Sequence, residues 1–349
     1  MDSVSQIVLG ASLAHITLGE RLGRRALILG AVLGTLPDMD VLVPYADAVE
    51  SFTYHRSWSH SLLVLSLISL PIAWLVQRLF TDATLPYRHS LRGVWLVLFT
   101  HPLLDCFTTY GTQILWPLTS APTVLGSVFV IDPLYTLPLI VAVIAAWRWP
   151  YKRSLSWVVT SLIVSTAYLA WTLVAQHQVS QKFDDTLAKL GIQAQQTMIA
   201  PFPLSLLWRT VVVTNEHYYE GYSSLLDSNV AIELSRYDNG KTLCKKWLDF
   251  GHVQRLDWFT QGLYSLSVED NELIASDLRI GIAGGYIFRF SVAERNEQQW
   301  QMIQSRQLPV EIDTHRMGLL LERAIDESIV LPPIVTPDTQ SQTACPEQA

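Results

Sequence analysis

The sequence predicts an α-helical membrane bundle, with about four spans and two short or re-entrant helices, followed by a soluble α+β domain rich in β-strands. Charge divides the chain in the same way: residues 1–175 hold 10 Lys or Arg and 9 Asp or Glu, whereas residues 176–349 hold 14 and 22. The first part is poor in charge and rich in Leu, Val, Ile and Trp, which suits lipid, and the second is acidic. We therefore expect a membrane-embedded domain at 1–176, a helical linker at 177–200, a soluble domain at 201–331 and a disordered tail at 332–349.

Two short apolar segments begin the chain. Residues 4–18 include His15 and two serines, which suits a helix buried inside a bundle better than one that faces lipid. Residues 26–36 would form a helix only about 16 Å long. This is too short for a hydrocarbon core of about 30 Å. We expect both segments to be packed inside the bundle, where short or re-entrant structure is tolerated.

Longer apolar runs follow, and we interpret four of them as membrane spans: residues 61–80, 93–107, 134–149 and 155–175. The core helix of a soluble protein could explain one such run, but four in close succession favour membrane insertion. Basic residues cluster in the loops after the first and third runs, which predicts that these loops are cytoplasmic. The uncharged loop that follows the second run should then lie on the far side, together with the acidic second half.

The second half has the pattern of a β-rich domain. Short runs of β-branched and aromatic residues predict strands at 208–214, 230–237, 262–268 and 286–292. The turn sequence Asp238-Asn239-Gly240 follows the second of them. Residues 316–325 suggest a helix. The chain has no basic run long enough to follow a phosphate backbone, which argues against nucleic-acid binding.

Histidines and carboxylates occur at the ends of the apolar segments, where they are costly unless they bind something. His101 and Asp105 are spaced i, i+4, so a helix would present both on one face. A nitrogen and an oxygen on one face are a common way to bind a metal. The alternative is a buried histidine paired with an aspartate, without a metal.

The sequence 55–61 places two histidines and an arginine just before an apolar run. Because His55 and His60 would diverge on one continuous helix, we expect Ser59 to cap the helix, so that both rings converge at its start. Arg56 would lie beside them at the positive end of the helix dipole, where an anion such as a phosphate binds well. The alternative is an ordinary polar cap with interfacial His and Arg side chains.

Asp38 and Asp40 follow Pro37, where an extended chain would point alternate side chains the same way. Two adjacent carboxylates resist joint ionisation unless a cation lies between them. The alternative is a solvated turn. His15 is a lone histidine in an apolar segment, and a satisfied core histidine is the alternative there. The joint occurrence favours one metal site. The predicted topology puts Asp38, His55, His60 and Asp105 toward the non-cytoplasmic side, whereas His15 lies close to the cytoplasmic arginine turn.

Taken in order, these residues resemble the motifs of a known family. The family pattern is an early histidine, then PDxD, HRxxxHS and HxxxD, then a glycine and LWP. In this chain the pattern reads as His15, residues 37–40, 55–61 and 101–105, Gly111 and residues 115–117. On these residues the chain resembles the YdjM-type inner-membrane proteins of bacteria, over roughly residues 1–150. Ser57-Trp58-Ser59 stands where the family usually has Gly-x-Thr, a difference that removes no ligand.

The resemblance implies a membrane-bound, metal-dependent hydrolase of the bacterial inner membrane, with a distant similarity to zinc-dependent phospholipase C. The metal expected for imidazole and carboxylate ligands is zinc, with manganese or iron as alternatives. Arg56 would bind a substrate anion, and Asp40 would be a ligand or the partner of one. The metal ligands that we predict are His15, Asp38, His55, His60, His101 and Asp105.

A lipid-like phosphoester is the expected substrate, because the site would lie at or in the bilayer. A second hypothesis from the same residues is not enzymatic. The cluster would hold a metal structurally, or conduct an ion or proton, and the acidic domain would recruit a partner. A closed set of protein ligands would favour the structural role, and an open position would favour catalysis.

Overall fold

The computed structural model describes residues 1–228, 232–242, 244, 247–296, 299–310 and 313–331. The chain divides into two compact units. Unit 1 contains Met1–Val43 and Tyr54–Val174. Unit 2 contains Pro44–Thr53 and the residues from Ala175 onward. The predicted disordered tail, 332–349, lies outside the described residues.

Unit 1 is helical. Its helices in chain order are α1 (Ser3–Leu22), α2 (Arg25–Thr35), α4 (Leu62–Leu79), α5 (Tyr87–Asp105), α6 (Pro133–Arg148) and the first part of α7 (Tyr151–Leu190). Helix α1 packs against α2, α5 and α6, and α4 packs against α5. Three 3₁₀ segments, Pro37–Leu42, Trp58–His60 and Thr81–Ala83, lie between these helices.

Helices α1 and α2 approach each other through glycine. A Cβ built on Gly30 would lie 2.2 Å from the Gly10 carbonyl oxygen, and one on Gly34 would lie 2.5 Å from the Gln6 carbonyl oxygen. Both distances are too short for any larger residue, so the two backbones touch directly. Close contact between small residues is typical of helix pairs in membranes. It also fixes the end of α2, which leads into the first 3₁₀ segment.

The prediction of four spans is corrected to two among the described residues. The helices long and apolar enough to cross a membrane are Leu62–Leu79 and Tyr151–Leu190, by length and composition. Helix α5 begins six residues before the predicted run, at Tyr87, and therefore includes Arg88 and Arg92. Helix α6 has only 16 residues, so it extends about 24 Å at 1.5 Å per residue. Helices α5 and α6 do not meet this criterion, because α5 carries polar and charged residues in its first turns and α6 is short.

Unit 2 is built on two antiparallel sheets. The first sheet contains β1 (Gln196–Pro201), β2 (Leu207–Val213), β3 (His217–Ser224) and β4 (Leu234–Asp238). The second contains β5 (Tyr264–Glu269), β6 (Glu272–Asp277), β9 (Arg289–Asn296) and β10 (Gln299–Gln307). The strand order is β1-β2-β3-β4 in the first sheet and β10-β9-β6-β5 in the second. A small pair, β7 (Gly281–Ile282) and β8 (Gly285–Tyr286), and helices α8 (Gly251–Thr260) and α9 (Thr314–Arg323) complete the unit.

The β-rich character of the second half is confirmed. Each predicted strand overlaps an observed one, although the first two residues of the predicted run 230–237 lie outside the described residues. The pattern missed β1, β3, β6, β7 and β10. Helix α7 ends at Leu190 and β1 begins at Gln196, so the end of the predicted helical linker is a strand.

The segment Pro44–Thr53 belongs to unit 2, although more than a hundred residues separate it from the rest of that unit in the chain. It contains most of helix α3 (Ala48–Tyr54). The backbone N–H of Val49 donates to Ser305 Oγ over 2.9 Å, and Phe52 packs its ring against Phe259 and Phe290. No local pattern indicates this, because the partners are about 200 to 250 residues away.

A buried ion pair lies in unit 2. Arg209 Nη2 donates to Glu220 Oε2 over 2.7 Å, and both side chains are almost completely buried. Glu220 also accepts hydrogen bonds from the Tyr286 hydroxyl at 3.1 Å and from the Ala283 backbone N–H at 3.1 Å. Burial alone would raise the pKa of the Glu220 carboxyl, but the Arg209 guanidinium lowers it below its ordinary value.

Arg209→Met is expected to reduce the stability of unit 2 by about 3–5 kcal/mol, because it leaves Glu220 buried without its counter-charge. The pH dependence should also change sign. In the parent protein, the Glu220 carboxyl has a lower pKa in the folded state than in the unfolded state. It therefore stabilises the fold at pH values above its unfolded pKa, and this stability is lost as pH falls toward its folded pKa. In the variant, burial raises the Glu220 pKa, so stability should increase as pH falls from 7 to 5. Thermal unfolding of the full chain, followed by tryptophan fluorescence at both pH values, measures this. A parallel pH response in the two proteins would contradict it.

Candidate metal centre

Asp38, His60, His101 and Asp105 converge in unit 1 and form the cluster of possible metal ligands found among the described residues. One ligand atom from each lies within 4.8 Å of the others. His60 Nε2 is 3.2 Å from Asp38 Oδ1, 3.2 Å from Asp105 Oδ2 and 3.2 Å from His101 Nε2. His101 Nε2 is 3.4 Å from each of the same two carboxylate oxygens. We call these four residues the cluster.

Each member of the cluster stands at the end of a helical element. Asp38 is in the 3₁₀ segment that Pro37 begins, and His60 ends the 3₁₀ segment before α4. His101 and Asp105 share one face of the last turn of α5, as their spacing predicted. The predicted cap needs a correction: α4 begins at Leu62 and is capped by Ser61, whose Oγ accepts from the Val64 N–H at 3.3 Å. The Ser59 hydroxyl is therefore not used to cap α4 and can form hydrogen bonds next to the cluster.

The imidazole of His101 is oriented by the backbone of α2. Its Nδ1 lies 2.7 Å from the Gly34 carbonyl oxygen, which can only accept, so Nδ1 carries the proton. The lone pair of the neutral ring is then on Nε2, inside the cluster. The close contact of α1 with α2 through glycine holds the Gly34 carbonyl in this position. This is the arrangement found behind metal-binding histidines.

His60 is oriented through a hydroxyl relay. The Ser59 hydroxyl donates to Asp40 Oδ2 over 2.6 Å, so it accepts from His60 Nδ1 at 3.0 Å. His60 Nε2 consequently presents its lone pair to the cluster, as His101 does. Two imidazole lone pairs 3.2 Å apart repel each other unless a proton or a cation lies between them.

Asp105 likewise has an atom in the cluster that a cation would stabilise. Its Oδ1 accepts from Gln6 Nε2 over 3.1 Å and contacts the Met1 nitrogen. Its Oδ2, which is completely buried, has no hydrogen-bond donor among the described residues. This oxygen faces the two histidine nitrogens. A buried carboxylate oxygen without a donor is costly, and a cation inside the cluster would satisfy it.

The spacing of the cluster fits a small cation. Zinc bonds of about 2.0–2.1 Å in a tetrahedron put neighbouring ligand atoms about 3.3 Å apart. Five of the six separations among the four ligand atoms are 3.2–3.4 Å, and the sixth, between the Asp38 and Asp105 oxygens, is no more than 4.8 Å. The residues present therefore fit a divalent metal in both donor chemistry and distance.

Asp40 lies behind the cluster and joins several of its neighbours. Its Oδ2 accepts from the Arg56 backbone N–H at 3.0 Å as well as from Ser59, and its Oδ1 lies 2.8 Å from His55 Nδ1. Of the two predicted roles, ligand or partner of a ligand, the structure gives Asp40 the contacts of a partner. His55 contacts Asp40 and lies outside the cluster, with its ring centroid 5.9 Å from that of His60.

Both aspartates of the first 3₁₀ segment are held ionised. Burial would raise the pKa of the Asp38 carboxyl, but the imidazoles of His101 and His60, which can carry a proton toward it while no cation is bound, keep that pKa well below its ordinary value. Burial opposes ionisation of Asp40 too, and the hydrogen bond and charge of His55 lower its pKa. The segment therefore presents negative charge to the cluster at neutral pH, as a cation site requires.

Arg56 is buried beside the cluster in a left-handed backbone conformation, with φ of 62°. Its guanidinium lies 3.4 Å from Asp105 Oδ1 and 3.3 Å from the Thr108 hydroxyl, and 5.1 Å from the centre of the Tyr110 ring. Arg56 is thus close enough to Asp105 to hold it in place. Its position next to the cluster is also suitable for binding an anion.

His15 lies away from the cluster. Its Nε2 is 3.0 Å from Ser154 Oγ, and its ring packs against Tyr151 with centroids 5.2 Å apart. These partners are at the start of α7, so the structure gives His15 the contacts of a packed core histidine. Conversely, Gln6 and the Gly34 carbonyl contact the cluster and were not predicted. Neither residue type signals such a role; only the small-residue contact of α1 with α2 could have suggested it.

Asp40→Asn is expected to weaken divalent-metal binding by about 10–100-fold, because it disrupts the relay that orients His60. Isothermal titration of zinc into the metal-free, full-length protein measures this. Asp227→Asn is the matched control and should leave the affinity unchanged. Asp227 also accepts hydrogen bonds from a backbone N–H and from an arginine side chain, but it lies in unit 2. An unchanged affinity in Asp40→Asn would show that the orientation of His60 does not depend on the relay.

Comparison with known proteins identifies a family for the N-terminal part of the chain. Residues 1–179 match the family described as YdjM inner membrane protein. The chain is also similar to the uncharacterized protein YfhP of Bacillus subtilis (strain 168), at 24% identity over 230 residues, which is 64% of this chain and 68% of that protein. No solved structure matches the chain.

Proposed function

Since the chain belongs to the family of YdjM inner membrane proteins, we propose that it is a membrane-bound, metal-dependent hydrolase that cleaves a phosphoester or similar ester bond of a lipid-like substrate. The observation that carries the proposal is the cluster, with its two oriented histidines and the Asp105 oxygen that lacks a donor. We propose the bacterial inner membrane as the location, with unit 2 on the non-cytoplasmic side. The ligands that we assign are Asp38, His60, His101 and Asp105.

A divalent ion bound there, zinc before manganese or iron, would polarise the scissile bond and lower the pKa of a water. The protein supplies the orientation. Gly34 and Ser59 fix the tautomers of the two histidines, and Gln6 and Arg56 fix Asp105. Such support is what keeps a reactive site in one geometry.

Two polar groups beside the cluster have catalytic roles in this proposal. The guanidinium of Arg56 binds the anionic part of the substrate and stabilises charge that develops on it. Asp40 holds His55 through Nδ1, so His55 presents Nε2 to accept or release a proton. The His55 side chain is 21% exposed, which leaves that proton a path to solvent.

A second candidate is a structural metal site without catalysis. It is favoured by the number of protein ligands, because four are enough to close a tetrahedral shell. The two candidates differ in activity. Full-length protein in detergent should hydrolyse bis(p-nitrophenyl) phosphate when loaded with zinc and lose that activity after chelation. A stable, fully loaded protein that cleaves neither this diester nor p-nitrophenyl acetate would favour the structural role.

A further inference from the structure

One face of α2 is exposed and apolar. Ile28, Val32 and Leu36 follow one another at intervals of four residues and are all exposed, whereas the opposite face packs on α1. Side chains four residues apart lie on the same side of a helix. Such a stripe on a membrane protein faces lipid, because it would be unfavourable in water.

The stripe continues directly into the residues around the cluster. Met39, Val41 and Leu42 are exposed on the same 3₁₀ segment that carries Asp38 and Asp40. Trp58 is exposed two residues before His60. We call the apolar rim the set Met39, Val41, Leu42, Trp58, Leu115 and Leu118, whose members are between 40% and 77% exposed.

Leu115 and Leu118, the last two members of the rim, are on a loop that backbone hydrogen bonds hold against the segment that carries Trp58. The Gln113 N–H donates to the Arg56 carbonyl at 2.9 Å, and the Leu62 N–H donates to the Ile114 carbonyl at 3.0 Å. The loop with Leu115 and Leu118 is therefore fastened along the segment that carries Trp58. The residues 106–131, which include this loop, contain no charge. A continuous apolar patch next to a polar site marks a contact surface.

The cluster is accessible at one member. The Asp38 side chain is 22% exposed, while those of His60, His101 and Asp105 are at most 1% exposed. Met39, next to Asp38 in the chain, and Leu36, two residues before it, are both exposed. The accessible edge of the cluster is therefore bordered by the apolar rim.

We propose that the apolar rim is embedded in the bilayer and that the cluster opens into lipid at Asp38. The substrate then reaches the cluster laterally, as an amphiphile whose polar group is at the level of Asp38 and whose chains stay in the membrane. The last step depends on the proposed function. The embedding of the rim stands on the exposed residues and on the continuity with α2.

Spin labels test the embedding. Val41→Cys and Leu118→Cys change exposed positions, so the protein should still fold. Each variant is labelled with a nitroxide in vesicles of phosphatidylcholine and phosphatidylglycerol, and the signal of the labelled parent is subtracted. We expect both labels to be relaxed by oxygen, which concentrates in lipid, more strongly than by a water-soluble nickel chelate. Asp270→Cys, in the exposed β5–β6 turn, is the control and should show the reverse. A preference for nickel at either rim position would overturn the proposal.

Two matched chelators test the opening. Bathophenanthroline enters lipid, whereas its disulfonate stays in water, and both have the same metal-binding group. From zinc-loaded protein in the same vesicles, the lipid-soluble form should remove the metal about tenfold faster or more. Equal rates, or faster removal by the disulfonate, would overturn the opening into lipid.

The two proposals fail in different ways. A protein that binds no metal but carries lipid-exposed rim labels would contradict the proposed function and retain the membrane face. A protein that binds and uses metal but carries water-exposed rim labels would retain the function and contradict lateral access.

Discussion

His60→Ala and Asp105→Ala should each abolish stoichiometric binding of a divalent metal, and the double variant should bind no less than either single variant. No single ligand binds the ion strongly, and the site exists only while several helix ends hold their ligands together. Removing one leaves an open shell with buried polar groups that lack partners. The losses should therefore be strongly non-additive.

Metal content of the purified full-length variants measures this, together with the affinity of any ion that remains. His89→Ala is the matched control: His89 is on α5, the helix that carries His101 and Asp105, but lies outside the cluster. It should retain the metal of the parent. Independent losses that add in the double variant would contradict a shared site.

Arg56→Ala should lower the hydrolysis of an anionic ester by about 10²–10³-fold while the protein keeps its metal. Arginine offers no lone pair to a metal, and Asp105 retains its hydrogen bond from Gln6 in the variant. Arg56→Lys should restore activity only in part, because lysine supplies the charge without the planar fork.

Comparing bis(p-nitrophenyl) phosphate with neutral p-nitrophenyl acetate separates the roles of Arg56. Loss of anion binding reduces activity on the diester far more than on the neutral ester. Loss of the metal in Arg56→Ala would instead show that the arginine shapes the cluster through Asp105, from which it is 3.4 Å away.

The sequence predicts the metal ligands most accurately where they are close together in the chain and share one helix. The spacing of His101 and Asp105 determines a common helix face, as predicted, whereas Asp38 and Asp40, predicted on an extended chain after Pro37, lie in a 3₁₀ segment. His15 was included because the family pattern begins with an early histidine. His15 lies at the end of α1 that packs on α7, and the hydrophobic periodicity of a helix does not show which other helix a residue contacts.

Other features depend on contacts far apart in the chain. The Gly34 carbonyl orients His101, which is 67 residues away, and a carbonyl leaves no signal in the sequence. Ser59 was predicted to cap a helix, but Ser61 does so because the chain forms a 3₁₀ turn first. The span count failed because hydropathy alone does not show where α5 begins or how short α6 is.

X-ray absorption at the metal edge of the purified, full-length protein tests the central claim most directly. The account predicts about one divalent ion per chain, bound only by nitrogen and oxygen at about 2.0–2.2 Å, with two imidazoles in the shell. The signal should be absent from His60→Ala. Sulfur in the shell, or the same spectrum in His60→Ala, would contradict a metal site built from Asp38, His60, His101 and Asp105.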